Sequence, residues 1–182
     1  MKFIETPLKD VYILEPTVFG DDRGFFQETW NAQVFRDAGF DITFVQDNHS
    51  RSGHGILRGL HYQLQHPQGK LVRVTRGDVF DVAVDIRRGS PSYGKWFGAR
   101  LSAENHRMLW VPPGFAHGFY VLSECADFLY KCTDSYHPDS EQSLAWDDPT
   151  VGIDWPLVNG RAPSLSAKDT EGLRWEDAPK FD

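Results

Sequence analysis

The sequence predicts an all-β fold, a barrel or double sheet of short strands joined by many turns. Three observations predict it. Turn signals recur roughly every ten residues, the spacing that a closed or two-sheet β fold needs. Glycine (16), proline (11) and aromatic residues (14%) are plentiful, and few stretches hold a helical period. A chain of 182 residues suits one domain, spanning 1–182, built on a single core.

Each element follows from its local pattern. Lys2–Glu5 and Val11–Glu15 read as short strands, Gly20-Asp21-Asp22-Arg23-Gly24 as a turn, and Phe25–Thr29 as another strand. Asn31 to Gly39 is the best helix: Asn31 can cap it, Val34, Phe35 and Ala38 share a face, and Gly39 ends it. Phe44–His49 is expected as a strand and Ser50–Gly55 as a loop. Strands then follow at Ile56–Gln63, Lys70–Thr75, Val79–Ile86, Lys95–Leu101, Met108–Val111, Ala116–Leu122 and Asp127–Thr133. Phe80, Val82, Val84 and Ile86 alternate onto one strand face. From His137 the period weakens, and the tail carrying Trp146, Trp155 and Trp175 reads as irregular segments packed over the barrel.

The formal net charge of −7 argues against a nucleic-acid or anionic-membrane binder, although a few arginines in a cleft can still hold a small anion. No apolar run approaches the ~20 residues of a membrane span, and the N-terminal residues carry no secretory core. Cys125 and Cys132 stand an odd offset apart on one strand, so they face opposite ways and are expected as reduced thiols of a cytoplasmic protein.

Ionisable chemistry is densest from Arg58-Gly59-Leu60-His61-Tyr62-Gln63 through His66-Pro67-Gln68-Gly69 to Lys70. Three imidazoles, His61, His66 and His117, could in principle hold a metal. Against this, Gln63 stands two residues after His61 in place of a second histidine, and Lys70 stands where an acid would complete the site. No metal and no cofactor are therefore expected. Acid–base chemistry is the other reading: if the face shared by His61 and Gln63 lines a cavity, the imidazole points into it, and a carboxylate would fix its tautomer. Spacing does not choose that carboxylate, and Asp169 is one candidate among many. Tyr130 shares a face with Phe128 and Cys132, a setting that suits a core tyrosine better than a functional one. Arg23, Arg58, Lys70 and Lys168, taken singly, read as surface charges. Arg58 lies three residues from His61 and should face the other way, unless Gly59 marks a bulge that turns both toward one cavity.

Five motifs in register, Arg58-Gly59-Leu60-His61-Tyr62-Gln63, Lys70-Leu71-Val72, Gly114-Phe115-Ala116-His117-Gly118-Phe119, Tyr130-Lys131-Cys132-Thr133-Asp134 and Leu165-Ser166-Ala167-Lys168-Asp169, resemble the dTDP-4-dehydrorhamnose 3,5-epimerases nearly end to end. The resemblance implies a metal-free, cupin-type jelly-roll barrel with one short N-terminal helix and an irregular C-terminal tail. It implies epimerisation of a dTDP-4-keto-6-deoxy sugar at C3 and C5. By that likeness His61 is the base, Asp169 its paired acid, Tyr130 the opposite-face proton donor and Lys70 the cation near the C4 oxygen. Arg23, Glu28, Gln46, Asp47, Asn48, Arg58, His117, Glu141 and Lys168 match positions that bind the sugar nucleotide. The family is homodimeric and its N-terminal strands often exchange, so Arg23 and Glu28 would come from the partner subunit. The motifs leave open a relative that inverts only one centre, and a sugar-nucleotide binding module without catalysis.

Overall fold

Alternating apolar positions build two facing antiparallel sheets and one separate hairpin, in a computed structural model that describes residues 1–182. The strands are β1 (Lys2–Glu5), β2 (Tyr12–Glu15), β3 (Val18–Asp21), β4 (Gly24–Gln27), β5 (Gln46–Gly53), β6 (Leu57–Gln63), β7 (Lys70–Arg76), β8 (Asp78–Asp85), β9 (Trp96–Ser102), β10 (Met108–Val111), β11 (Phe115–Val121), β12 (Cys125–Cys132) and β13 (Glu141–Ser143). One sheet runs β1-β2-β10-β7-β12-β5 and the other β13-β6-β11-β8-β9, while β3 and β4 pair only with each other. The expected barrel is not closed: the two ladders remain separate, with β1 and β5 as the edges of one sheet and β13 and β9 as the edges of the other.

The interior between the sheets is filled by one cluster to which both contribute, including Val72, Val74, Leu109 and Phe128 from one and Val79, Leu101, Phe119 and Val121 from the other. Each such side chain contributes about 1.5–3 kcal/mol on burial. The second sheet is buried on its outer face too, where Val82, Val84, Ile86 and Tyr120 meet Trp155, and Trp146, Trp175 and Phe181 pack around them. The tail is thus a lid of irregular chain over that sheet. This explains why every residue of β11 is buried: the strand is covered on both faces.

The outer face of the first sheet is closed by α1 (Ala32–Asp37), whose Phe35 packs with Leu14, Leu71, Met108 and Trp110. Asn31 caps the helix through Gln33 and Val34 amides, as its side chain predicts. The tail adds a single further helical turn, α2 (Ala167–Thr170), capped by Ser166.

Three differences from the expected strands matter, the first being β13, which pairs with β6 inside the tail expected to be irregular. The turn at Gly20–Gly24 is the tip of the β3–β4 hairpin, whose Phe19, Phe25 and Phe26 are each more than 60% exposed. Ser50 to Gly53, expected as loop, continues β5 against β12, with Ser50 opposite Phe128 and Gly53 opposite Cys125. The strand reads as polar because its inner face meets a cavity rather than the core. Both cysteines are free thiols, and no helix is long and apolar enough to cross a membrane.

Candidate active site

Between the sheets a cavity of about 340 Å³ opens, lined by Gln46, Asn48 and Ser50 of β5, Lys70 of β7, and Phe128 and Tyr130 of β12 on one side. Arg58 and His61 of β6 and His117, Gly118 and Phe119 of β11 line the other, with Glu141, Lys168, Gln68 and Tyr136 completing it. Strict alternation explains the first set. Asn48 pairs with Tyr130, and Lys70 with Cys132, so these side chains share the inward face.

The second set depends on Gly59. Across β6 and β11, His61 is opposite His117 and Arg58 is opposite Phe119, so three steps on β6 match two on β11. That extra residue is a bulge, and it turns Arg58 and His61 to the same cavity. Gly59 has φ +136°, and a Cβ added there would lie 2.5 Å from the Gly118 Cα, so only glycine fits. Arg58 is further aimed by donating from Nε to Ser52 Oγ at 2.8 Å.

His61 is held by Asp169, a residue 108 positions away whose Oδ1 lies 2.5 Å from the imidazole Nε2. Asp169 is itself fixed: the Ser166 hydroxyl donates to Oδ2 at 2.7 Å, and the Gly59 amide donates to Oδ1 at 3.3 Å. Its burial pulls the carboxyl pKa up, but the bonds from His61 and Ser166 outweigh this and hold it down at about 2. Burial also pushes His61 below the usual imidazole value, against the opposing pull of Asp169. The ring is therefore a neutral base in the neutral range, with Nε2–H donated to Asp169 and the Nδ1 lone pair free of any protein partner.

Tyr130 faces this base from the other sheet. Burial is the main force raising its pKa, with Cys132 and Glu141 adding to it, so the phenol keeps its proton. Lys70 is enclosed, and burial lowers its pKa. It makes no ion pair, which leaves an unneutralised ammonium on the cavity wall. Lys168, next in sequence to Asp169, pairs instead with Glu141. Burial pulls the Glu141 pKa up, but its bonds to Lys168 and Tyr136 win and lower it.

His117 is placed among the lining residues, and its Nε2 lies 3.0 and 3.1 Å from the two carboxylate oxygens of Asp81, which is fully buried. Asp169 is brought behind the wall rather than into it. Three expected ligands lie elsewhere in this chain. Asp47 alternates away from Gln46 and Asn48 and pairs with Lys131 outside. Arg23 is on the exposed hairpin tip, bound to Asp21, and Glu28 accepts from Asn31 at 3.0 Å. His66, once a third imidazole to weigh with His61 and His117, is not among the lining residues.

Several lining residues escaped the sequence reading. Tyr136 donates from its hydroxyl to Glu141 at 2.7 Å and from its amide to Gln46 Oε1 at 2.8 Å, but it stands in a stretch with no period. Ser50 was recoverable, since it extends the Gln46, Asn48 alternation. Asp81, which stands behind His117 rather than in the lining, was recoverable too, as the acid between Phe80 and Val82 in the middle of the strand.

Comparison with known proteins agrees with this geometry. The family model described as dTDP-4-dehydrorhamnose 3,5-epimerase matches residues 5–177. A dTDP-4-dehydrorhamnose 3,5-epimerase from Pseudomonas aeruginosa is 58% identical over 182 residues, covering 100% of this chain and 99% of that protein. The crystal structure of dTDP-6-deoxy-D-glucose-3,5-epimerase from Legionella pneumophila, in complex with dTDP-4-keto-L-rhamnose, is 52% identical. It superimposes with a TM-score of 0.92 over 100% of this chain and 98% of that one. The Bacillus anthracis dTDP-4-dehydrorhamnose 3,5-epimerase, solved with TDP and pyrophosphate bound, is 44% identical with a TM-score of 0.91, over 95% of this chain and 98% of that one.

Proposed function

The chain belongs to the dTDP-4-dehydrorhamnose 3,5-epimerase family, and from that membership we propose how it inverts C3 and C5 of dTDP-4-dehydro-6-deoxy-D-glucose to give dTDP-4-dehydro-L-rhamnose. It is an isomerase with a cupin-like two-sheet fold, and its ligand is a nucleotide sugar. The observation that carries the mechanism is that His61 and Tyr130 line one cavity from opposite sheets.

His61 Nδ1 removes the proton at a carbon next to the C4 ketone. The electron pair moves to the ketone oxygen, forming an enolate that Lys70 stabilises from its unpaired, enclosed position. Tyr130 then delivers its proton to the same carbon from the other face, and the configuration inverts. The Asp169 carboxylate stabilises the imidazolium while it exists and keeps Nε2 protonated throughout. Before the second inversion His61 gives its proton to solvent and the Tyr130 phenolate takes one up, so the same pair acts in turn at C3 and C5, and the sugar must present each carbon to it. No step calls for a metal or cofactor.

Arg58, Gln46, Asn48, His117, Glu141 and Lys168 hold the nucleotide and sugar, with Arg58 suited to bidentate phosphate contacts. A second copy of the chain completes the site. The β3–β4 hairpin has no strand partner and exposes Val18, Phe19, Phe25 and Phe26. Exchanged onto the partner subunit, it would bury these side chains and bring Arg23 and Glu28 to the other cavity. Residues 1–182 act as one domain, and the two free thiols suit the reducing cytoplasm.

The test is turnover in heavy water followed by proton NMR. Solvent deuterium is expected at both C3 and C5 of the product. Exchange at one carbon alone would make the chain a single-centre epimerase, and no exchange would leave only binding.

A further inference from the structure

The β6–β7 turn and the segment following β12 bring together three side chains that the epimerisation leaves unused. His66, Asp134 and His137 form a cluster whose ligand atoms all lie within 4.8 Å of one another. The Asp134 carboxylate addresses both rings, with Oδ2 3.7 Å from His66 Nδ1 and Oδ1 3.9 Å from His137 Nε2. The two imidazoles stack, their centroids 4.1 Å apart and their planes 18° apart.

We propose that His66, Asp134 and His137 form a surface site for a divalent transition-metal ion of the zinc or nickel type, beside the rim of the cavity and separate from its chemistry. Two imidazoles and a carboxylate are a donor set such ions accept. Bonds of about 2.1 Å in a tetrahedral site set ligand atoms roughly 3.4 Å apart. The observed 3.7 and 3.9 Å are close to that, but the rings are stacked with their planes 18° apart, so binding must unstack them to turn both lone pairs onto one ion. The side chains are 53%, 40% and 41% exposed, which leaves access for the ion and room for water as a further ligand.

The backbone that carries the cluster is built rather than loose. Gln63, only 3% exposed, donates from Nε2 to the carbonyls of His66 (2.7 Å) and Ser135 (3.2 Å). Its Oε1 accepts the His137 amide at 2.8 Å, and Gln68 Nε2 donates to the Asp134 carbonyl at 2.8 Å. Each of the three ligand residues is thus tied through its main chain to the same corner. Tyr136 lies between Asp134 and His137 and lines the cavity. An ion bound here would staple the segment that carries Tyr136 to the β6–β7 turn, so its effect on turnover falls on KM rather than kcat.

The experiment is calorimetric titration of tag-free, metal-stripped full-length protein with Zn²⁺ and, separately, Ni²⁺, with the histidine ring resonances followed by NMR during the Zn²⁺ titration. One equivalent should bind per chain, shifting the His66 and His137 resonances and leaving His61 and His117 in place. H66Q, H137Q and D134N should each weaken binding at least about tenfold, the loss that even outer-shell changes cause at metal sites. H54Q, at an exposed histidine elsewhere, should not. Wild-type affinity in folded H66Q, H137Q or D134N, absence of binding, or shifts at His61 or His117 instead would overturn the site. Thermal melts identify any variant that fails to fold, and the remaining two then decide the matter.

Discussion

His61 stands directly opposite His117 across the β6–β11 ladder, and each imidazole is backed by a buried aspartate, Asp169 for the first and Asp81 for the second. Two rings of one residue type thus share one wall of one cavity. They differ in what surrounds them: Asp169 is gripped by Ser166 and the Gly59 amide and holds its pKa at about 2. The division of labour between base and ligand follows from these supports, and it can be tested.

Asp169→Asn should lower kcat by roughly 10²-fold or more, because an amide can donate to the imidazole and favour the wrong tautomer. The pH profile carries a separate signature. His61 must be neutral to act, and burial sets its pKa below 6.5, so kcat/KM should hold through neutrality and fall on the acid side of that value. Asp169 favours the imidazolium, so removing its charge should move this acid limb to lower pH. An unmoved limb in D169N would detach Asp169 from the base.

Acid stability reports on the same carboxylate. Its folded pKa of about 2 lies below the ordinary 3.8. The stabilisation it confers is therefore complete above pH 3.8 and lost as pH falls through about 2. Denaturation curves of wild type and D169N should differ at neutral pH and converge toward pH 2.

Tyr130→Phe keeps the ring and deletes the donor. Epimerised product should fall about 10²- to 10⁴-fold. The base still removes the proton and can return a solvent deuteron from its own face, so recovered starting sugar should gain deuterium without inversion. Product formed at the wild-type rate would contradict Tyr130 as donor.

Lys70→Met removes an enclosed ammonium that has no ion-pair partner. Its pKa is lowered by burial, so the charged form costs the fold stability at neutral pH. The variant should melt higher, by about 2–4 °C for each kcal/mol recovered. It should lose roughly 10²- to 10³-fold in kcat as the enolate loses its counter-charge. Unchanged turnover would remove Lys70 from enolate stabilisation, and an unchanged or lower melting temperature would contradict the cost assigned to its buried charge.

Arg23→Ala and His61→Asn should each be inactive alone. If the hairpins exchange between subunits, mixing the two after partial unfolding and refolding should restore activity. One site of each hybrid then takes its histidine from one chain and its arginine from the other. Hybrids as inactive as the parents would return Arg23 to its own chain.

Most strands of both sheets were readable because each alternates or is largely apolar, as in Phe115–Val121, whereas β13, three polar residues in the tail expected to be irregular, was not. The second half of β5 was not, since Ser50, Arg51 and Ser52 carry no apolar signal and owe their conformation to β12. At the site, Gly59 between Arg58 and His61 announced an irregularity, and the bulge resolved it. The partnership of His61 with Asp169 was beyond spacing, because the tail returns to β6 only after packing across the outer face of its sheet. Tyr136 was illegible for a related reason: its place depends on Gln46, 90 residues away, as well as on Glu141 in the same patternless stretch.

Gly59 and Gly118 each occupy the space that a side chain on the other would need. A Cβ on the first would lie 2.5 Å from the Gly118 Cα, and one on the second 2.7 Å from the Arg58 carbonyl oxygen. Neither position can therefore drift while the other waits, and a double exchange only crowds the same gap further. In a mutational scan the two should behave as one intolerant unit, although neither bears a functional group. The aim of the imidazole is thus inherited through a pair of missing side chains, which protects the reaction from gradual erosion at its backbone.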